Sequence, residues 1–361
     1  TDGPAAPISV TVEDLATFLE RPARPLVRDR LGIVLPEALE PLPDREPMTL
    51  SPLDRHVVGE AIVRGRLEGW SGEQAMAAAS AAGRLPLGTP GELDLVPIAA
   101  AAEEIVGVAG LVSAGNPPRA VTVALSLGDG AVNLSGALDG LLPAGRLEVT
   151  YGRVDDKRVL RLWVRHLALA LALSSRGRGL EEGGWPVIVA PVSWLVGRAR
   201  KGSGTVCARL AEVDDPEALL GPILGLWREA ESSVPPYYPL AARAWHDERR
   251  HRLDKGESRE SAERAAERKA ATAFGTGWRE PDASGPRWRP TDLDDAELAL
   301  ALGDDLPWDE DGTASDGANL VRFRAAAEDI LGPLDEHLEW LGGSDLPARL
   351  GVTRRGEEET P

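Results

Sequence analysis

From the N-terminus, apolar residues first recur at helical spacing and then switch to strict alternation, and the switch predicts where helix gives way to sheet. Thr11-Val-Glu-Asp14 reads as a capping box, with the Thr oxygen accepting from unpaired backbone N–H groups and the Asp answering, so a helix starts there. Pro22 and Pro25 remove backbone donors and end or kink it. After a proline-rich connector over residues 36–52, Leu53, Val57, Val58, Ile62 and Leu67 predict a second helix. Residues 74–82 predict a short third helix, and residues 92–111 a long fourth carrying Val96, Ala99, Ala100, Glu103 and Val106 in helical register. Val121, Val123, Leu125 and Leu127 then alternate with small or polar residues, and Asp129-Gly130 offers a tight turn into a strand over residues 131–134. Residues 138–142 and 146–151 continue the sheet across Pro143-Ala144-Gly145.

The second half predicts a helix over 159–173, apolar on most sides and therefore sandwiched between layers, followed by strands over 187–192 and 205–210. Residues 216–231 form an amphipathic stripe of Leu219, Leu220, Ile223, Leu224 and Trp227, which Pro235-Pro236-Tyr237-Tyr238-Pro239 breaks. Residues 241–274 predict two charged helices around Lys255-Gly256. A loop over 276–291, an acidic and partly looped stretch over 292–316, a last amphipathic helix over 320–341 and a frayed tail complete the chain.

Composition narrows the function classes. The 361 residues suffice for one large domain or two medium ones, with no internal repeat and no boundary that composition demands. A formal charge of −18 repels nucleic acid at long range, so any DNA contact is local or made with partners in place. Lysine is confined to Lys157, Lys201, Lys255 and Lys269; arginine carries the remaining positive charge. Cys207 is alone, which excludes an intrachain disulfide and a Cys-rich metal cluster and suits a reducing cytoplasm. The longest apolar run, residues 167–173, falls far below the roughly 20 residues of a membrane span. Neither a phosphate-cradling glycine loop nor a Gly-x-Ser-x-Gly nucleophile elbow is present, since Gly202-Ser203-Gly204 lacks the Lys-Ser/Thr of a P-loop.

Chemistry concentrates between Gly136 and Thr150, where Gly136-Ala137-Leu138-Asp139 and Glu148-Val149-Thr150 lay out two edges of a metal site. The pattern resembles the PD-(D/E)xK nucleases, in which an Asp on one strand and an acid-x-Lys on the next hold a divalent ion and position water. Thr150 stands at the lysine position, and strand alternation points it the same way as Glu148. Residues 8–18 followed by Pro22, Pro25 and Leu31-Gly32 are similar to the opening of RecB-type nuclease domains. Leu85-Pro-Leu-Gly-Thr-Pro-Gly91-Glu92, the strand pair and Leu162-Trp-Val-Arg-His-Leu167 follow in the order of the RecC C-terminal domain family, from about residue 8 to about residue 340.

This resemblance implies an α/β fold of the restriction-endonuclease-like class, a mixed sheet flanked by helices with extra helical segments. It implies one nuclease-like domain over residues 1–345 and a tail over 346–361. A first residue of Thr1 fits a piece of a longer subunit. In relatives with an iron–sulfur cluster the first Cys lies beside the opening proline; here Arg21 precedes Pro22, so that cluster is not expected. Glu92 falls where active relatives place a metal-facing His or Glu, and with Asp139 and Glu148 it leaves three acids to cluster. Loss of the cation at Thr150 costs on the order of 10² or more in rate. Lys157 lies past a turn, and Arg153 and Arg158 titrate too high to handle protons. Glu92, Asp139, Glu148 and Thr150 are therefore expected to be vestigial, with no catalytic residue, metal or cofactor.

The implied role is a non-catalytic, DNA-guiding domain of the RecBCD helicase–nuclease of double-strand break repair, with RecB, RecD and DNA as partners and no membrane. Arg279, Arg287, Trp288 and Arg289 combine cations with an aromatic and are candidates for contact with single-stranded DNA. His166 reads as a helix-packing or exposed residue, and the mixed charges of residues 243–269 as a solvated helical face. Two alternatives stand beside this: an active Mg²⁺ nuclease using Asp139 and Glu148, and a stand-alone DNA-binding module.

Overall fold

The computed structural model describes residues 8–36, 49–128, 130–176, 180–182, 185–187, 189–202, 204–276, 290–309 and 313–342. Strand β1 (Ile8–Thr11) runs directly into helix α1 (Val12–Glu20), because Thr11 accepts from the Asp14 N–H at 3.0 Å and donates its hydroxyl to the Asp14 carboxylate at 2.6 Å. The prolines end α1, and Pro25–Arg30 forms a wide π-helical turn. Helices α2 (Pro52–Leu67), α3 (Gly72–Ala81) and α4 (Thr89–Ser113) precede three consecutive strands, β2 (Arg119–Leu127), β3 (Val132–Leu142) and β4 (Gly145–Arg153). Helix α5 (Asp156–Arg176) carries the chain over the sheet. A small hairpin of β5 (Leu180–Glu182) and β6 (Trp185–Val187) leads to β7 (Ser193–Arg198) and β8 (Thr205–Leu210). Helices α6 (Pro216–Ala230), α7 (Pro239–Asp254), α8 (Arg259–Phe274), α9 (Ala296–Leu302) and α10 (Gly317–His337) precede β9 (Leu338–Gly342).

The fold is α/β, built on a seven-stranded mixed sheet flanked by helices, as the resemblance implies. Strands β4, β7, β8 and β9 lie side by side, β4 parallel to β7 through the α5 crossover. Strand β2 covers one edge of β3, so β1 and β4 share the other: β1 takes residues 132–135, and β4 pairs only with Leu141 and Leu142. The two edges thus splay apart over residues 136–140.

Alternating strand residues feed two cores. Leu134, Leu138, Leu195 and Ala208 face α1, α5 and α6, whereas Tyr151, Val196 and Cys207 face α2 and α4. Helix α4 is long and apolar enough by composition to cross a membrane, yet Leu95, Ile98, Ala102 and Ile105 are buried in the second core, which accounts for its apolarity. The helical additions close around Tyr238, Trp245, Phe274, Trp308 and Phe323, with Trp308 edge-on to Phe323 at 5.0 Å. Buried Asp292 accepts from the Leu240 and Ala241 N–H groups at 3.0 and 2.8 Å, capping α7, and burial pushes its carboxyl up to about 7.

Several expected boundaries move. The amphipathic stretch 320–341 ends as helix at His337, and its last residues pair with β8 as an edge strand, because Leu338 to Leu341 satisfy either period. Residues 189–192 precede β7 rather than forming a strand, and the short β1 lies outside the expected elements. Residues 131–134 and 138–142 are one strand, and the acidic stretch after residue 292 contains α9. The tail 346–361 lies outside the described residues.

Candidate functional site

Two β-bulges shape the region between the splayed strands. Against β2, Arg119 pairs with Leu141 but Val121 pairs with Leu138, so β3 carries an extra residue at Asp139-Gly140. Gly140 adopts φ +67°, and a Cβ there would lie 2.1 Å from the Leu147 carbonyl oxygen, so only glycine fits. Against β7, Val149 pairs with Val196 and Arg153 with Arg198, which places extra residues of β4 at 150–152. Strict alternation therefore fails at both halves of the motif.

The first bulge turns Asp139 toward Arg146. The Arg146 side chain is 2 % exposed, and its two terminal nitrogens donate to Asp139 Oδ1 at 2.7 Å and Glu148 Oε2 at 3.1 Å. Arg165, from α5, donates to the same Glu148 oxygen at 2.7 Å and to Glu13 Oε2 at 2.6 Å. Arg161 pairs with Glu13 and lies 3.7 Å from Glu20. Burial pushes the Asp139 carboxyl up, but the Arg146 hydrogen bond and charge outweigh it and hold the group below the usual carboxylate range. Glu13 shows the same balance, with Arg165 and Arg161 prevailing over burial. The Arg165 guanidinium is displaced upward: burial opposes its charge, and Glu148 and Glu13 more than compensate.

Thr150 does not join this group. Its hydroxyl donates to Glu60 Oε2 at 3.1 Å and accepts from the Gly152 N–H at 3.0 Å. The same Glu60 oxygen accepts from the Tyr151 N–H at 2.8 Å. Glu60 reaches the strand because Gly59 lets α2 sit on the Tyr151 ring; a Cβ at Gly59 would lie 2.3 Å from it. Glu92 is exposed in the first turn of α4, and among the described residues no three His, Cys, Asp or Glu side chains are grouped to hold a metal ion. The expected cluster of three acids is thus replaced by two acids bridged by arginine.

The residues do not fit the divalent ion that the nuclease fold implies. Its two acids converge on a guanidinium, and one carboxylate oxygen already serves two arginines. The cation expected after Glu148 stands before it. Arg146 stands two residues ahead of Glu148 on the same strand, and that spacing was the available signal. Lys157 instead lines a separate cavity of about 150 Å³ with Glu20, Asp292, Asp294 and Asp295. Arg153 donates to the Arg200 carbonyl and Arg158 to the Arg153 carbonyl.

His166 is fully buried, stacked on Trp163 with Nδ1 3.1 Å from Ser193 Oγ; burial lowers its pKa to about 4, so it packs as a neutral ring. On α7 and α8 the mixed charges pair, Arg252 with Glu248 at 2.6 Å and Arg264 with Glu260, in keeping with a solvated face. Arg279, Arg287, Trp288 and Arg289 lie outside the described residues.

A family model described as the RecC C-terminal domain matches residues 7–250. The chain is 25 % identical over 248 residues to a protein of Mycolicibacterium smegmatis named RecBCD enzyme subunit RecC, covering 68 % of this chain and 21 % of that protein. It is 26 % identical over 252 residues to the subunit of the same name from Mycobacterium tuberculosis, covering 70 % of this chain and 22 % of that one. The matched part spans about a fifth of the length of these relatives.

Proposed function

Because the chain belongs to the RecC C-terminal domain family, we propose that it serves as a non-catalytic scaffold within a RecBCD-type helicase–nuclease that processes double-strand DNA ends for recombinational repair. RecB and RecD are the partner subunits in this reading, DNA ends and single strands are the substrates guided, and the compartment is the cytoplasm. The Arg146 bridge between Asp139 and Glu148 carries it. Phosphodiester hydrolysis in this fold needs carboxylates open to a metal ion and a cation free to orient water. Here the cation is spent on the carboxylates.

With the acids neutralised internally, what remains for the domain is to hold partners and steer strands. A chain of charge −18 contacts phosphate only through local basic segments, and Arg279, Arg287, Trp288 and Arg289 are the segment proposed for it.

The test is DNA cleavage by the purified chain and by the assembled complex, each with Mg²⁺. No cleavage by the chain is expected, and Asp139→Ala and Glu148→Ala in the complex leave its nuclease rate unchanged. Cleavage by the chain alone that disappears on Asp139→Ala establishes the Mg²⁺ nuclease instead. Salt-dependent DNA binding by the chain, without association with RecB or RecD, establishes the stand-alone DNA-binding module.

A further inference from the structure

We infer that Arg146 occupies the place of the divalent ion, and that removing its guanidinium uncovers a cation site formed by Asp139 and Glu148. The inference rests on the non-catalytic reading and adds what maintains it. Three observations carry it. First, Asp139 Oδ1 and Glu148 Oε2 bond the two ends of one guanidinium, so both acceptors already converge on a single positive centre. Mg²⁺ and Mn²⁺ are satisfied by such a pair, since Mg²⁺ keeps several waters and takes only one or two carboxylates.

Second, the bridge does structural work that a metal ion does elsewhere. Strands β3 and β4 pair only at Leu141–Arg146 and Leu142–Gly145, so the contact from Arg146 to Asp139 ties the strands just where their ladder ends. Third, the charge is compensated to within one unit. Glu13, Glu20, Asp139 and Glu148 face Arg146, Arg161 and Arg165, four carboxylates against three guanidiniums. A dication entering that set meets three positive groups and must displace Arg146. Without Arg146 the set carries two uncompensated charges, and Asp139, 75 % exposed, opens the site to solvent. Glu148 Oε2 accepts from both Arg146 and Arg165, and the lone pair that Arg146 gives up passes to the ion while Arg165 keeps its bond.

The experiment compares thermal unfolding of the wild-type chain and Arg146→Met in the presence and absence of millimolar Mn²⁺, with Mn²⁺ binding followed by electron paramagnetic resonance. Methionine keeps the buried straight-chain volume and removes the charge. We expect no Mn²⁺ response from the wild type. Arg146→Met is expected to gain about 3 °C or more with Mn²⁺, to lose the gain on chelation, and to lose it when combined with Asp139→Asn. Arg146→Gln, read in the same way, covers the case in which Arg146→Met does not fold. A folded Arg146→Met or Arg146→Gln chain that neither binds Mn²⁺ nor responds to it overturns the inference and leaves the scaffold reading intact. Mn²⁺ binding by the wild type that is lost on Asp139→Asn overturns both.

Discussion

The bulges that interrupt β3 and β4 stand beside each other and treat the residues they displace in opposite ways. In β3, the extra residue at Asp139-Gly140 turns an acid toward Arg146 and keeps it paired with Glu148. In β4, the extra residues at 150–152 commit Thr150 to Glu60 of α2, on the side of the second core. Asp139 and Glu148 share a cation, Arg146, whereas Thr150 is drawn into packing. The same kind of backbone distortion thus serves a charge bridge in one strand and packing in the other.

The sharpest way to break that comparison is at the glycines. Gly140→Ala meets a backbone carbonyl and forces φ +67° on a residue with a Cβ, and we expect a loss of about 3 kcal/mol in urea unfolding. The nearest groups that Gly152→Ala meets are side chains, the Arg158 guanidinium at 2.5 Å and the Thr150 hydroxyl at 3.2 Å. A flexible arginine end can move aside, so a loss of about 1 kcal/mol or less is expected. Equal losses at both positions remove the distinction between a bulge fixed by backbone and one fixed by side chains.

Acid sharpens it next. His166 packs beside Ser193, the register partner of Arg146, and its folded pKa of about 4 lies below the unfolded value of about 6.5. The unfolded chain therefore takes the proton first, and His166 withdraws on the order of 2–3 kcal/mol as pH drops from about 6.5 to about 4, while Asp292, raised to about 7 by burial, works in the opposite direction over the same interval. Asp139 and Glu13 are also held below their usual range, so their contribution is present above the unfolded carboxylate pKa near 4 and is lost as pH falls further. His166→Asn is expected to remove the His166 loss from the first interval, so that stability rises there through Asp292 as pH falls, and to leave the second. Chemical denaturation across pH reads both, and an unchanged first interval refutes the assignment.

How much of this was legible in the sequence follows from which residues obey a period. Helices α2, α4 and α6 carry long stripes, and β2 alternates without interruption, so the expected elements match them closely. Strand β7, Ser-Trp-Leu-Val-Gly-Arg, is buried over nearly its whole length and offers no alternation to read, and β9 continues the spacing of α10. The site was legible as two acids on neighbouring strands. Their partner was not, because a bulge moves Asp139 off the alternation and because Arg146, before the acid, resembles an ordinary hairpin residue. Glu60 was hidden for another reason: it is 91 residues from Tyr151, and only the packing of Gly59 on that ring joins them.

Glu60 gives the finest test of the comparison. Its carboxylate accepts from the Tyr151 N–H and the Thr150 hydroxyl, at the part of β4 that β3 does not pair. Glu60→Ala leaves the N–H of Tyr151, a residue 2 % exposed, without that acceptor, and about 1–2 kcal/mol is expected to be lost. Glu60→Gln keeps a carbonyl oxygen for the amide and surrenders only the charge, so a loss below about 1 kcal/mol is expected. Hydrogen exchange at Tyr151 separates the two: protection falls in Glu60→Ala and holds in Glu60→Gln, while exchange at Asp139 is unchanged in both. Loss of protection at Asp139 in either variant would mean that the two bulges act as one unit, and that the arginine bridge depends on α2 as well as on α5.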